Sequence, residues 1–317
     1  MRDAYLSELY NLAKKNKDIL ALVADNGAIV YDDFRRDFSD RFINFGISEA
    51  NMVSVAAGLA SCGKIPFAYT IACFITMRAF EQIRNDVCLQ KMNVKLVGIG
   101  AGFVYSNLGP THHATKDIAL MRVLPEMIIF SPADSLETKK ATVATVEIDG
   151  PVYLRLATGK TSDIYTSDYD FKIGKGVVLK EGDDISIIAT GTMVYESRQA
   201  VRDLEKLGIH ARLINIHTIK PLDKEIILKA AEETKVILTV EEHSVFGGLG
   251  SAVSEILLEE CNICIQFKRL GLKGVFSSEY GSHEDMKRIN GISVKDIIRE
   301  SKKLYERKKG VLLNRKR

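Results

Sequence analysis

Short apolar runs that alternate with helical stretches constrain this 317-residue chain more than any other feature. DILALVAD (18–25), RFINFGI (41–47), IPFAYTI (65–71), VKLVGIGAG (94–102), MIIFSPA (127–133) and PVYLRLA (151–157) read as buried strands. Helical stretches at 49–62, 77–90, 115–124 and 135–148 lie between them. A strand that returns parallel to its predecessor needs a crossover of about a dozen residues, usually a helix. The order therefore predicts an α/β fold with an open, mainly parallel sheet. TGKTSDIYTSDYDFKIGKG (158–176) is polar and lacks a helical period, so it marks the crossing to a second domain. There the alternation restarts with strands DISIIATG (184–191), HARLINI (210–216) and VILTVEE (236–242), and helices at 195–207, 224–234 and 251–261. The expected division is a first domain at 1–160, a linker at 161–175, a second open α/β domain at 176–306 and a basic tail at 307–317. Loops leaving strand ends near Gly46, Gly102 and Ala133 are where such a fold carries ligands.

Hydrophobic residues make up 46% and charged residues 27%, the profile of a soluble globular protein. No apolar run approaches the ~20 residues a bilayer crossing needs. The start, MRDAYLSELYNLAKKNKD, is amphipathic and contains acids, unlike a secretory or transit peptide. Net charge is +3, and RKKGVLLNRKR (307–317) holds six basic residues; removing them leaves the body at −3. That balance argues against nucleic acid as a partner and makes the tail a solvated terminus. Five cysteines at irregular spacing form no disulfide framework, so a reducing, cytoplasmic compartment is expected. Cys261 and Cys264 form one CxxC with no second ligand pair, and they read as core cysteines of a strand rather than as a zinc or redox site.

Four groups of residues could carry chemistry. Glu49 opens a helix of small residues: either Ser48 caps that helix and Glu49 complements its dipole, or Glu49 is a sheltered working acid. In NLGPTHHATKD (107–117), His112 and His113 follow a Gly-Pro turn and suit acid–base work or the holding of hydroxyls, against the plainer reading of surface histidines. In FITMRAFEQIRNDV (74–87), Phe74 and Phe80 bracket Arg78 and Arg84 at helical spacing, which by itself describes an aromatic core face with arginines outside. In VEEHSVFGGLGSAVSE (240–255), the glycines at 247, 248 and 250 open a helix whose end could bind an anion. The spacing is GGxG, so a dinucleotide fingerprint is weak, and the GxGxG at 98–102 lies in a strand and is weaker.

In combination these motifs resemble a known family. DRFINFGISEANMVSVAAGLA, IPFAYTIACF, RAFEQIRNDV, GPTHHATKDIALMR, GPVYLRLATGK, TIKPLD and EEHSVFGGLGSAVSE follow the order of the C-terminal half of transketolases, up to about Leu304. The likeness is to split transketolases, divided over two polypeptides. It implies a pyrimidine-binding domain followed by a transketolase C-terminal domain, and thiamine diphosphate as cofactor. By that resemblance Glu49 bonds N1′ of the aminopyrimidine, Phe74 stacks on the ring, and Met52 lies against the cofactor. His112 contacts substrate hydroxyls with His113 assisting or shaping the loop, Arg78 holds substrate phosphate, and Arg155 is a further substrate candidate. The family's GDG motif with its distant asparagine does not occur, so Mg2+ (or Ca2+) and the diphosphate are expected on an N-terminal diphosphate-binding partner subunit, in an α2β2 heterotetramer.

Three substrate-facing positions depart from the family pattern: Leu108 replaces an aspartate before GPTH, Ile29 a serine, and Thr158 an arginine. Each removes a polar partner, which points to a sugar other than the usual pentose phosphate. Competing readings are a 1-deoxyxylulose-5-phosphate synthase-like or 2-oxo acid dehydrogenase β-like enzyme, a non-catalytic regulatory subunit, and a nucleotide-binding protein supported only by the glycines at 247–250.

Overall fold

The computed structural model describes residues 1–158 and 162–314. The start of the expected linker at 161 and the tail residues 315–317 lie outside the described residues. Among the described residues, twelve strands run as β1 (Ile19–Val23), β2 (Phe42–Asn44), β3 (Ile65–Ile71), β4 (Lys95–Ile99), β5 (Ile128–Phe130), β6 (Val152–Leu156), β7 (Val177–Lys180), β8 (Ile185–Ala189), β9 (Ala211–Asn215), β10 (Thr218–Lys220), β11 (Val236–Ser244) and β12 (Gln266–Leu272). They form a seven-stranded sheet, β10-β5-β6-β4-β3-β1-β2, and a five-stranded sheet, β12-β11-β8-β9-β7. Of the pairings between these strands, only β10–β5 and β7–β9 are antiparallel. The expected α/β class with two mainly parallel sheets is the class observed.

Strand periodicity decides which residues face which layer. Leu20 and Leu22 of β1 join one apolar cluster while Ile19, Ala21 and Val23 join the other. Because helices cover both faces, β1, β4 and β6 are buried at every position, and alternation with polar residues is absent. Each fully enclosed Leu or Val stabilises the fold by about 1.5–3 kcal/mol. The cluster under helix Glu49–Ser61 continues into the second half through Ile188, Ile214, Ile237 and Val253. The two sheets therefore share a core, and β10 from the second half extends the first sheet by pairing with β5.

Several details differ from the sequence reading. The helix expected at 77–90 begins at Ala72, directly off β3, runs to Arg78, and breaks at Ala79 before a short turn Phe80–Gln82 and a π-helical stretch Ile83–Cys88. A π turn brings residues five apart onto one side, which lets Ile83, Val87 and Cys88 all face the core. Cys261 and Cys264 are not core residues. The preceding helix ends at Glu260 and β12 starts at Gln266, so both cysteines fall in the connecting loop, one half-buried and one exposed. The basic tail is not a bare extension either: the last helix runs Val294–Asn314, and Lys308 Nζ donates to the Asp184 carbonyl at 3.0 Å. Among the described residues no helix is long and apolar enough to cross a membrane.

Candidate active site

The carboxyl ends of β2, β3 and β4 present their following segments along one edge of the first sheet. After β2 a tight turn, Ser48 N–H to Gly46 O at 2.8 Å, leads into helix Glu49–Ser61. Ser48 makes no side-chain cap, so the simple capping arrangement is absent. The Glu49 side chain, only 4% exposed, instead accepts a hydrogen bond from Arg78 Nη1 at 2.9 Å. Arg78 ends the helix that leaves β3, and its guanidinium carbon lies 3.8 Å from the centroid of the Phe74 ring one turn back. Residues four apart on a helix share a face, which sets up this cation–π contact. Phe74 also meets His112, whose ring lies edge-on to it with centroids 5.0 Å apart.

His112 comes from the loop after β4. Its amide bonds the Gly109 carbonyl at 2.9 Å, its Nδ1 lies 3.0 Å from Thr111 Oγ1, and Cys73 Sγ donates to Thr111 O at 3.4 Å. Residues 49, 74, 78 and 112, from three separate segments, thus form one continuous line. The carboxylate is buried, the arginine is exposed to 47%, and the histidine is half-buried.

Other expected site residues lie elsewhere. His113 is buried, with Nε2 3.3 Å from Ser106 O and its ring edge-on to Phe103 at 4.9 Å. Burial pushes its pKa below the usual imidazole value. It shapes the loop rather than facing the edge. Met52 is fully enclosed in the core, on the same helix as Glu49. Arg155 is 3% exposed, bonds Asp117 Oδ2 at 2.7 Å, and donates to the carbonyls of Ala114 and Glu242. Of the departing positions, Ile29 and Leu108 are exposed and Thr158 is half-buried.

The glycine-rich turn at 247–250 has its anion already. Glu241 accepts the amides of Leu249 at 2.7 Å and Gly250 at 2.8 Å, so the helix end is closed to a nucleotide phosphate. Burial pushes the Glu241 carboxyl up to about 7, with those two amides opposing it. Among the described residues no group of three His, Cys, Asp or Glu side chains is placed to hold a metal. The Glu49–Arg78 link was missed in the sequence, which read the two residues separately; their 29-residue separation gives no local signal.

Comparison with known proteins places the chain in a family. The transketolase pyrimidine-binding domain matches residues 1–162, and the transketolase C-terminal domain matches residues 174–297. The chain belongs to the transketolase family. It is similar to the 6-deoxy-6-sulfo-D-fructose transketolase subunit SqwH of Clostridium sp. (strain MSTE9), at 38% identity over 97% of this chain and 95% of that protein. It is also similar to an apulose-4-phosphate transketolase subunit of Phocaeicola vulgatus, at 42% identity over 81% of this chain and 83% of that one. A solved split-gene transketolase, described as an inactive beta4 tetramer, superposes with a TM-score of 0.87 at 40% identity, covering 96% of this chain and 97% of its own. This transketolase chain therefore carries the pyrimidine-binding and C-terminal domains of a split enzyme, and the family depends on thiamine diphosphate.

Proposed function

We propose that this chain is the sugar-selecting half of a two-chain transketolase, moving a two-carbon ketol unit from a ketose to an aldehyde acceptor. The observation that carries the reading is the buried Glu49 carboxylate separated from the Phe74 ring by a single planar cation, Arg78. A gap that holds a guanidinium between a carboxylate and an aromatic face suits an aminopyrimidine, which is also planar and also donates hydrogen bonds. When bound, thiamine diphosphate supplies the carbon centre that attacks the ketose and accepts its electrons.

Glu49 takes the role of hydrogen-bond partner to N1′ and holds a proton there. Its enclosure excludes water that would compete for that bond. Phe74 stacks on the ring and fixes its plane. His112, half-buried beside Phe74, meets the hydroxyls next to the reacting carbonyl. Arg78, released from Glu49, turns its fork to the anionic end of the sugar. The diphosphate and a Mg2+ (or Ca2+) ion are assigned to the partner subunit, in an α2β2 assembly.

The sugar is an atypical ketose. Leu108, Ile29 and Thr158 offer no charged donor at positions where transketolases often carry polar groups. Relatives named for sulfofructose and apulose phosphate are also split subunits. The test is to assay the chain with its diphosphate-domain partner on xylulose 5-phosphate and ribose 5-phosphate, against sugars with other termini, and on pyruvate. Pentose phosphate turnover with kcat/KM at or above about 10⁴ M⁻¹s⁻¹ would overturn the selectivity. Turnover by this chain alone would overturn the division of labour.

A further inference from the structure

One buried carboxylate of the second domain reaches into the base of the loop that carries His112. Glu242, at the end of β11, accepts the Phe103 amide through Oε1 at 2.7 Å and the Thr192 hydroxyl through Oε2 at 2.9 Å. His283 Nε2 lies 2.6 Å from the same Oε1. In the GxGxG run at 98–102, the place of Gly102 has a packing reason. It sits at φ +62°, and a Cβ there would come within 2.4 Å of Glu242 Cδ. Glycine is required for the carboxylate to approach.

The other end of the loop is tied to the same strand. Gly102 and Ala114 exchange backbone hydrogen bonds and close the stem. Arg155 Nη2 donates both to Ala114 O at 3.1 Å and to Glu242 O at 3.0 Å. Ser244 N–H bonds Thr115 O at 2.8 Å. Above the loop tip, the Tyr280 ring lies 3.0 Å from where a Gly109 Cβ would stand. We infer that Glu242 is a positioning residue: through Phe103 and Gly102 the second domain sets where His112 sits relative to Phe74, and His283 is its counter-ion. This rests on the reading of His112 as a substrate contact.

Electrostatics supports the geometry. Burial alone would raise the Glu242 carboxyl, but His283 and the Phe103 amide outweigh it and hold it at about 2. Burial opposes charge on His283, yet Glu242 keeps that imidazole above its usual value; Lys287 on its own helix and Glu196 on helix Met193–Lys206 are the other charges facing it. Each shift favours the charged form of its group.

The test compares wild type with E242A, E242Q and G102A, using amide hydrogen exchange on the full chain and donor kinetics on the assembled two-chain enzyme. Expected is at least a tenfold faster exchange across 103–112 in E242A, and a smaller gain in E242Q, which keeps the acceptor oxygen but loses the charge. G102A should reproduce the effect from the opposite side. Helix Asp117–Arg122, tied to the second domain separately through His243 and Gly247, should be unchanged. Donor KM should rise about tenfold with cofactor affinity retained. Unchanged loop exchange, or equal acceleration at 117–122, overturns the inference and leaves Glu242 as general glue between domains. If H112A leaves donor KM unchanged while E242A still frees the loop, the substrate role of His112 has failed and the clamp stands.

Discussion

Replacing Arg78 with alanine should tighten cofactor binding while weakening turnover. In the chain by itself the guanidinium fills the gap between Glu49 and Phe74, so an aminopyrimidine must displace it. Two contacts are lost in that exchange. The ion pair joins a 4% exposed carboxylate to a 47% exposed arginine, and the exposed partner keeps its worth near the surface range of about 0.2–1 kcal/mol. The stack on Phe74 at 3.8 Å adds about 0.5–1 kcal/mol at such a site. Together they amount to about 0.7–2 kcal/mol, or roughly 3- to 30-fold in affinity. Titration calorimetry of the assembled enzyme with thiamine diphosphate and Mg2+ should show a dissociation constant lower by that factor in R78A. The same variant should lose donor kcat/KM most for sugars with an anionic terminus. Equal or weaker cofactor binding in R78A would refute the displacement, since nothing would then be competing for the gap.

Other outcomes follow from neighbouring geometry. E49Q should assemble normally with the partner subunit yet lose ketol transfer, checked by gel filtration and a coupled aldehyde assay; retained turnover would remove Glu49 from the chemistry. R155M should cost about 3–5 kcal/mol in denaturant stability, because it leaves the fully buried Asp117 carboxylate without its counter-charge, with the Tyr153 hydroxyl as its remaining side-chain partner. The Glu242–His283 pair gives a pH window. The depressed carboxyl contributes above its ordinary 4.5 and is lost as pH falls through about 2, while the raised imidazole contributes fully below its ordinary 6.5 and is lost as pH rises through its folded value. The melting temperature should therefore decline on the alkaline side, and H283Q should flatten that decline.

Much of the fold was legible because buried parallel strands separated by helices leave a pattern few other architectures produce. What escaped was short or non-local. β10 is three residues long and pairs across to the other half's sheet, so no periodic signal marks it. The start of the helix at Ala72 was hidden because β3 runs into it without a turn residue. The candidate site was legible only in pieces. Glu49, Phe74, Arg78 and His112 were each named, but their order in space comes from three strand ends lying along one sheet edge. Arg155 was named from its place near the end of a strand, and nothing in the sequence signals that both sheet faces there are covered and that its charge is met by Asp117.

The two glutamates at the end of β11 show how one residue of offset separates two functions. Successive side chains on a strand point to opposite faces. Glu241 turns to its own domain and closes the helix that starts at Leu249, while Glu242 turns to the other domain and meets Gly102 and Phe103. Both are buried, so exposure does not tell them apart; their partners do. Burial raises both carboxyls: at Glu241 two backbone amides, Arg155 and Arg122 only partly offset it and leave the group at about 7, whereas His283 and the Phe103 amide draw Glu242 down to about 2. A permanent charge at the domain boundary needs a fixed counter-charge, and His283 arrives from a segment that also brings Tyr280 over the loop tip. The loop that carries His112 is therefore held in part from the second domain, which gives a physical reason for the two domains to share one chain.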